Sequence, residues 1–351
     1  PNVMGISGLI GNPAAYQAIM KCDLLLLLGT DFPYDEFLPA DTPTVQIDTR
    51  LGNIGKRTGV TTGVHSSMEA ALPLLLERLT PKTEDGFLQK ISKRFDAWQE
   101  KEQKKTGLEH DHDCLHPQLF TRHLGEVAAP DAVFALDTST AVIWASRHIT
   151  FHAQRRMLGA FNLGTLAVAL PAAIGAQLLH PEREVWALIG DGGFNMCMQE
   201  FLTACQQELP VKVLIFNNSE YNLVKLEMEQ AGEQPAFGPV RFSNPDYVAF
   251  ARSLGGEGVR VERVEDIPAA FEQARNSRRP FLIDAVVTGG EIPIPPHMSV
   301  KQALKLTKSK IKETVNAAKG DHQQWQNMKE QIQALLDYRW MNISPAGQLH
   351  W

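Results

Sequence analysis

The four cysteines, Cys22, Cys114, Cys197 and Cys205, form no CxxC pair and no regular spacing. They offer neither a disulfide framework nor a thiolate metal knot, and a reducing cytoplasm is the expected compartment. The first residues lack the basic segment and apolar core of a secretory leader. An excess of positive charge is missing too. A formal net charge of -6, from 34 Lys and Arg against 40 Asp and Glu, gives no general attraction to phosphate backbones, so no nucleic-acid partner is expected. There is no internal repeat and no low-complexity segment. A single run, Met157 to Leu179, is free of charge and long enough to cross a bilayer. Gly159, Asn162, Gly164, Thr165, Pro171, Gly175 and Gln177 interrupt it, so it reads as a buried strand-to-helix element.

What is present is an ordinary globular mixture, 44% hydrophobic and 21% charged, over 351 residues, enough for about two domains. The glycine-spaced run Gly5 to Gly11 comes with no strand before it, so the first domain is expected to lack its beginning. A helix from Ala14 to Lys21 and strands Leu24 to Leu28 and Thr44 to Ile47 follow. Charge then rises between Glu84 and Pro117, as in a solvated helix and connector between domains. Within it, Glu109, His110, Asp111, His112, Asp113, Cys114 and His116 lack standard metal-ligand spacing and read as linker. Beyond Pro117 the pattern is strand Ala132 to Leu136, strand Glu184 to Ile189, a helix from near Met196 to Gln207 and strand Val211 to Phe216. It continues with helix Pro245 to Ser253, strand Gly258 to Val261, helix Glu265 to Asn276 and strand Pro280 to Val287. Alternating strands and helices predict an α/β fold with parallel sheets. The expected divisions are 1–83, a linker at 84–117, a second domain at 118–290 and a tail at 291–351.

The most informative segment is Gly190-Asp191-Gly192-Gly193, at the end of an apolar strand, with Asn217-Asn218 after the next strand. Twenty-four residues lie between Gly192 and Asn217. That interval holds one helix and one strand, so both motifs should emerge at the carboxyl edge of one parallel sheet, where such folds bind ligands. Asp191 would give a hard anionic oxygen, Asn218 an amide oxygen and Glu220 a backbone carbonyl, a set suited to magnesium with a diphosphate. The glycines permit close approach of backbone to phosphate, and the helix expected to begin near Met196 would point its positive end there.

This pair of motifs resembles the thiamine diphosphate signature. With Asp137 to Trp144 (DTSTAVIW) and Gly159 to Pro171 (GAFNLGTLAVALP), the chain is similar to the pyruvate oxidase branch of the thiamine diphosphate enzymes. The resemblance implies a three-layer α/β/α cofactor domain in which Asp191, Asn218 and Glu220 hold magnesium. It makes Gly164, Thr165, Leu166, Gly192, Gly193, Ser219, Tyr221, Asn222 and Leu223 cofactor contacts, with Leu166 the hydrophobe that bends the cofactor. Three positions depart from the pattern: Leu166 in place of methionine, and Ser139 and Asn222 where relatives often have glycine.

By the same resemblance, the first segment is a partial Rossmann-like central domain that binds FAD. Its flavin-contacting positions would be Ser7, Gly8, Leu9 and Ile10; Thr30, Asp31, Phe32, Pro33 and Tyr34; and Asp48. The family's activating glutamate lies in a preceding pyrimidine-binding domain, and no residue here matches it. This chain is therefore expected to supply half of each site, with no catalytic residue of its own, and to be silent alone. The implied reaction is oxidative decarboxylation of pyruvate with thiamine diphosphate, magnesium and FAD, electrons passing to quinone or oxygen, in a homodimer or homotetramer. Ile294-Pro295-Pro296 is family-like. The basic stretch with Lys301, Lys305, Lys308, Lys310, Lys312 and Lys319 resembles a tail that touches the inner face of the membrane peripherally, with a tail packed on its own protein the favoured alternative. Alternatives are an acetolactate synthase-like carboligase and a non-catalytic subunit retaining the cofactor fold.

Overall fold

The computed structural model describes residues 3–106, 115–152, 154–231, 240–289 and 296. The chain divides into two compact units between Glu102 and Gln103. In the first, helix α1 (Pro13–Met20) is started by Asn12, whose side chain accepts from Ala15 N at 2.9 Å, with proline in the first turn. Strands β1 (Leu25–Leu28), β2 (Thr44–Asp48) and β3 (Thr62–His65) form a parallel sheet in that order. Helix α2 (Met68–Leu76) follows, capped by Ser67. The buried Gln46 pins the turn after β2: its Nε2 donates to Asn53 O and its Oε1 accepts from Gly55 N. The outer strand β1 leaves Leu26 and Leu28 exposed. Helix α3 (Gly86–Thr106) contains the division between the units.

The second unit opens with α4 (Pro117–Val127), β4 (Val133–Leu136), α5 (Thr140–His148), β5 (Arg156–Gly159) and α6 (Ala169–Leu179). Next come β6 (Val185–Gly190), α7 (Asp191–Cys197), α8 (Glu200–Gln206), β7 (Lys212–Asn217) and α9 (Asn222–Ala231). It closes with α10 (Tyr247–Ser253), β8 (Glu257–Val261), α11 (Ile267–Asn276) and β9 (Phe281–Val286). Six parallel strands stand in the order β5-β4-β6-β7-β9-β8. The central strands VWALIG and KVLIFN are buried along nearly their whole length, as a sheet covered on both faces requires. One core cluster joins Val185, Ala187 and Ile189 of β6 to Ala169 and Ala173 of α6 and to Phe194 and Phe201. The chain leaves β4 toward β5 on one side and returns to β6 on the other. The β4–β6 boundary is thus a topological switch point, which opens a crevice beyond the carboxyl ends of the strands.

Two expectations need correction. The run from Met157 to Leu179 does not lie in the core throughout: β5 is a mostly exposed edge strand and only α6 is deeply buried, because an edge strand has one neighbour. No helix among the described residues is long and apolar enough to cross a membrane. The helix expected from near Met196 begins instead at Asp191 and is broken after Cys197, before α8 starts at Glu200. Gly190 is extended and serves as the N-cap, so the GDGG residues themselves form the first helical turn. Strand β3, helix α2 and the helices flanking β4 carry no motif that marks them in advance. Most of the acidic and histidine cluster at 109–116 and nearly all of the tail at 291–351 lie outside the described residues.

Candidate active site

Asp191 is buried at the end of β6, and its oxygens meet only neutral donors. Oδ1 accepts from Gly192 N at 2.9 Å; Oδ2 accepts from Ser219 N at 2.6 Å, Asn244 Nδ2 at 2.8 Å and Asn218 N at 3.1 Å. Burial pushes its carboxyl up to about 6, against the pull of these hydrogen bonds. A buried carboxylate without a cationic side chain fits a bound metal ion, which would supply the missing positive charge. Asn218 Oδ1 accepts from Glu220 N at 3.1 Å, so an amide oxygen lies in the same turn. The oxygen donors suit a hard cation such as magnesium, as the sequence suggests. Among the described residues, no group of three His, Cys, Asp or Glu side chains could hold a metal, so diphosphate and water oxygens would have to complete the shell.

The turn after β7 is held from several sides. Ser219 has φ 58, a left-handed conformation that a side chain disfavours, and its amide is fixed on Asp191. The Glu220 side chain is buried between Lys225 Nζ at 2.9 Å and Arg241 Nε at 2.6 Å. Only its backbone carbonyl is thus left to act as a ligand. Tyr221 packs on Phe242, and a β-carbon on Gly192 would collide with the Tyr221 ring. Gly192 is therefore glycine because an aromatic side chain covers it.

Sequence reasoning missed a half-buried amide network beside Asp191. Asn244 Nδ2 also donates to Asn217 Oδ1 at 2.9 Å, and Asn195 Nδ2 donates to Asn244 Oδ1 at 2.9 Å. The Tyr247 hydroxyl lies 2.8 Å from both Asn195 Oδ1 and Asn244 Oδ1, and its single proton can be donated to either. Asn217 Nδ2 reaches Asp284 Oδ1 at 2.8 Å, and Arg260 pairs with Asp284 at 2.7 Å. The first asparagine of the NN pair thus belongs to the scaffold rather than to the ligand set. The only advance signal was the NN doublet and an asparagine before Pro245.

Across the switch point, the turn at Gly164, Thr165 and Leu166 precedes α6. Gly164 has φ 64 and Ala167 φ 62; Leu166 between them is half-buried, while Gly164 and Thr165 are exposed. Thr165 O accepts from Thr138 N at 3.3 Å. Asp137 accepts from the amides of residues 167, 168 and 169. Ser139 caps α5 through Ala141 N. Asn222 opens α9, with Leu223 next to it.

In the first unit, Gly8 packs against the Phe32 ring, which brings the Ser7 to Ile10 segment against the Thr30 to Tyr34 segment. Phe32 and Tyr34 meet edge to face, and Asp31 pairs with Lys56 and Arg57, each at 3.4 Å. Leu9 and Pro33 are exposed. Asp48 ends β2, beside β1, but its carboxylate accepts from Arg50 N at 2.7 Å and Asn53 Nδ2 at 3.4 Å, so it braces its own turn.

Comparison with known proteins agrees with this geometry. Residues 137–285 match the thiamine pyrophosphate enzyme C-terminal TPP binding domain, and residues 1–75 match the thiamine pyrophosphate enzyme central domain. The chain is 36% identical over 313 residues to YdaP of Bacillus subtilis (strain 168), whose name describes it as thiamine pyrophosphate-containing; the match covers 89% of this chain and 54% of that protein. It is 29% identical over 304 residues to the pyruvate oxidase of Lactiplantibacillus plantarum, covering 84% and 49%. It is 31% identical over 306 residues to an acetolactate synthase of Mycobacterium avium, again covering 84% and 49%. The chain thus spans about half the length of the curated relatives it matches. Among solved structures, a thiamine diphosphate-dependent 4-hydroxybenzoylformate decarboxylase of Rhodococcus jostii RHA1 shares the fold. Its TM-score is 0.60 at 23% identity, covering 78% of this chain and 50% of that one.

Proposed function

Because the chain belongs to the thiamine pyrophosphate enzyme family, with its central and carboxyl-terminal domains, we propose that it is part of a pyruvate oxidase. In this reading the full-length protein oxidatively decarboxylates pyruvate with thiamine diphosphate, magnesium and FAD, and passes electrons to quinone or oxygen. The observation that carries the cofactor reading is Asp191, a buried carboxylate without a cation, facing the NN turn at the carboxyl edge of the sheet. When bound, thiamine diphosphate supplies the nucleophilic carbon and electron sink that decarboxylation needs. This chain's residues bind and orient it: Asp191, Asn218 and the Glu220 carbonyl would hold the magnesium, and Leu166 would support the cofactor's shape. For FAD, the packed 7–10 and 30–34 segments and the adjacent cations Lys56 and Arg57 are the supporting features. The complete site is proposed to form in a homodimer or homotetramer.

A second reading, an acetolactate synthase-like carboligase, draws support from the several acetolactate synthases at 30% or 31% identity. The two part at the product. Full-length protein with the three cofactors and pyruvate should reduce an artificial electron acceptor and release acetate, or acetyl phosphate when inorganic phosphate is supplied; acetolactate without acceptor reduction would overturn the oxidase reading.

A further inference from the structure

Asp137 directly follows β4 and is fully buried on the opposite rim of the switch point from Asp191. Its Oδ1 accepts from Ala169 N at 2.8 Å and Val168 N at 2.9 Å, and its Oδ2 from Ala167 N at 3.0 Å. Helix α6 has no side-chain cap of its own, so this carboxylate, about thirty residues earlier in the chain, satisfies its first amides. Ala167 meanwhile sits at φ 62, where a β-carbon is disfavoured, so the turn needs an external hold. The same Oδ2 occupies the space that a β-carbon on Gly193 would need. One side chain thus touches both the turn that presents Leu166 and the GDGG turn that follows β6.

We infer that Asp137 is a positioning residue: by gripping the amides of 167–169 while packed on Gly193, it locks the Gly164–Ala167 turn to the GDGG turn. Leu166 is thereby held at a fixed place across the crevice from Asp191. The orienting consequence rests on the reading above, that thiamine diphosphate binds at this edge. Three N–H donors converge on two oxygens, which a carboxylate can accept. An asparagine offers one oxygen and turns an NH2 donor toward another donor. Burial raises the Asp137 carboxyl above its ordinary range, and the three amides offset part of that shift.

The test uses the full-length protein. Without cofactor, hydrogen exchange at amides 167–169 should be about tenfold or more faster in Asp137→Asn than in wild type, with β6 and β7 unaffected. Adding Ala167→Gly should recover part of that protection, because glycine reaches φ 62 freely. With saturating thiamine diphosphate and magnesium, kcat should fall by about tenfold or more, and the near-ultraviolet circular dichroism of the bound aminopyrimidine should change. Should Asp137→Asn not fold, Gly193→Ala crowds the carboxylate from the other rim and must loosen the same amides. Wild-type exchange at 167–169 in these variants overturns the lock. Loosened amides with unchanged kcat and dichroism overturn the orienting role. Wild-type protein that binds no thiamine diphosphate overturns the cofactor reading and the orienting role together, while the exchange measurement still decides the lock.

Discussion

Asn244 Nδ2 lies 2.8 Å from Asp191 Oδ2, joining residues 53 apart in sequence and fixing one lone pair of the proposed metal ligand. The same amide group donates to Asn217, so the end of β6 and the end of β7 are tied through one side chain. Asn244→Ala removes these bonds and leaves Asp191 Oδ2 held only by the amides of Asn218 and Ser219. A hydrogen bond to a charged group is worth about 1.5–3 kcal/mol, which corresponds to a loss of about tenfold or more in magnesium-dependent thiamine diphosphate affinity. Calorimetry on the full-length protein measures it. Unchanged affinity would show that the amide network serves stability alone.

Asp191 supplies the one fixed negative charge in the proposed ligand set, since Asn218 and the Glu220 carbonyl are neutral. Asp191→Ala is expected to abolish magnesium-dependent thiamine diphosphate binding in the full-length protein. Removing magnesium with a chelator from wild type should give the same loss. Binding that survives both treatments would eliminate the metal assignment.

The fold was legible where local patterning decides it. Apolar runs such as VWALIG and KVLIFN are strands because both faces of the sheet are covered, and GDGG and NN lie at the ends of adjacent parallel strands as their spacing implies. The start of α7 was misplaced because glycine is a poor helix former. Gly192 and Gly193 nevertheless enter the first turn because Tyr221 and Asp137 fill the space where side chains would stand. Asp137 and Asn244 escaped as functional candidates for a different reason. The amides that Asp137 accepts from lie 30 to 32 residues away, and Asn217 and Asp191, to which Asn244 donates, lie 27 and 53 residues away, so no periodicity encodes a contact that only the folded sheet creates.

Glu220 and Lys225 form a buried pair, with side chains 4% and 3% exposed. Glu220→Gln keeps the backbone carbonyl but leaves the ammonium of Lys225 buried without its carboxylate. Removing one partner of such a pair costs about 3–5 kcal/mol. Thermal unfolding should therefore fall by several degrees. Lys225→Met alone should cost less, because Arg241 still pairs with Glu220. The double variant should recover much of the loss, as an uncompensated charge is no longer buried. Strict additivity of the two single changes would exclude coupling between them.

Lys212, at the start of β7, gives a pH dependence whose sign follows from its burial. Its Nζ donates to Ser277 O at 2.6 Å, and burial lowers its pKa to about 8 despite the nearby Glu184 and Glu257. In the unfolded chain the group titrates at about 10.4. Below pH 8 both states carry the proton, and folding bears the full cost of burying the charge. Between about pH 8 and 10.4 the unfolded state binds a proton that the folded state does not, so this group's contribution raises stability as pH rises. Lys212→Met has no charge to bury but loses the bond to Ser277. The variant should therefore gain most relative to wild type near pH 7, and the gain should shrink steadily toward pH 10. Urea unfolding of both proteins at the two pH values isolates the effect, since every other titrating group cancels in the difference. An equal difference at both values would mean that Lys212 stays protonated in the fold, held by Glu184 and Glu257 more strongly than burial opposes it.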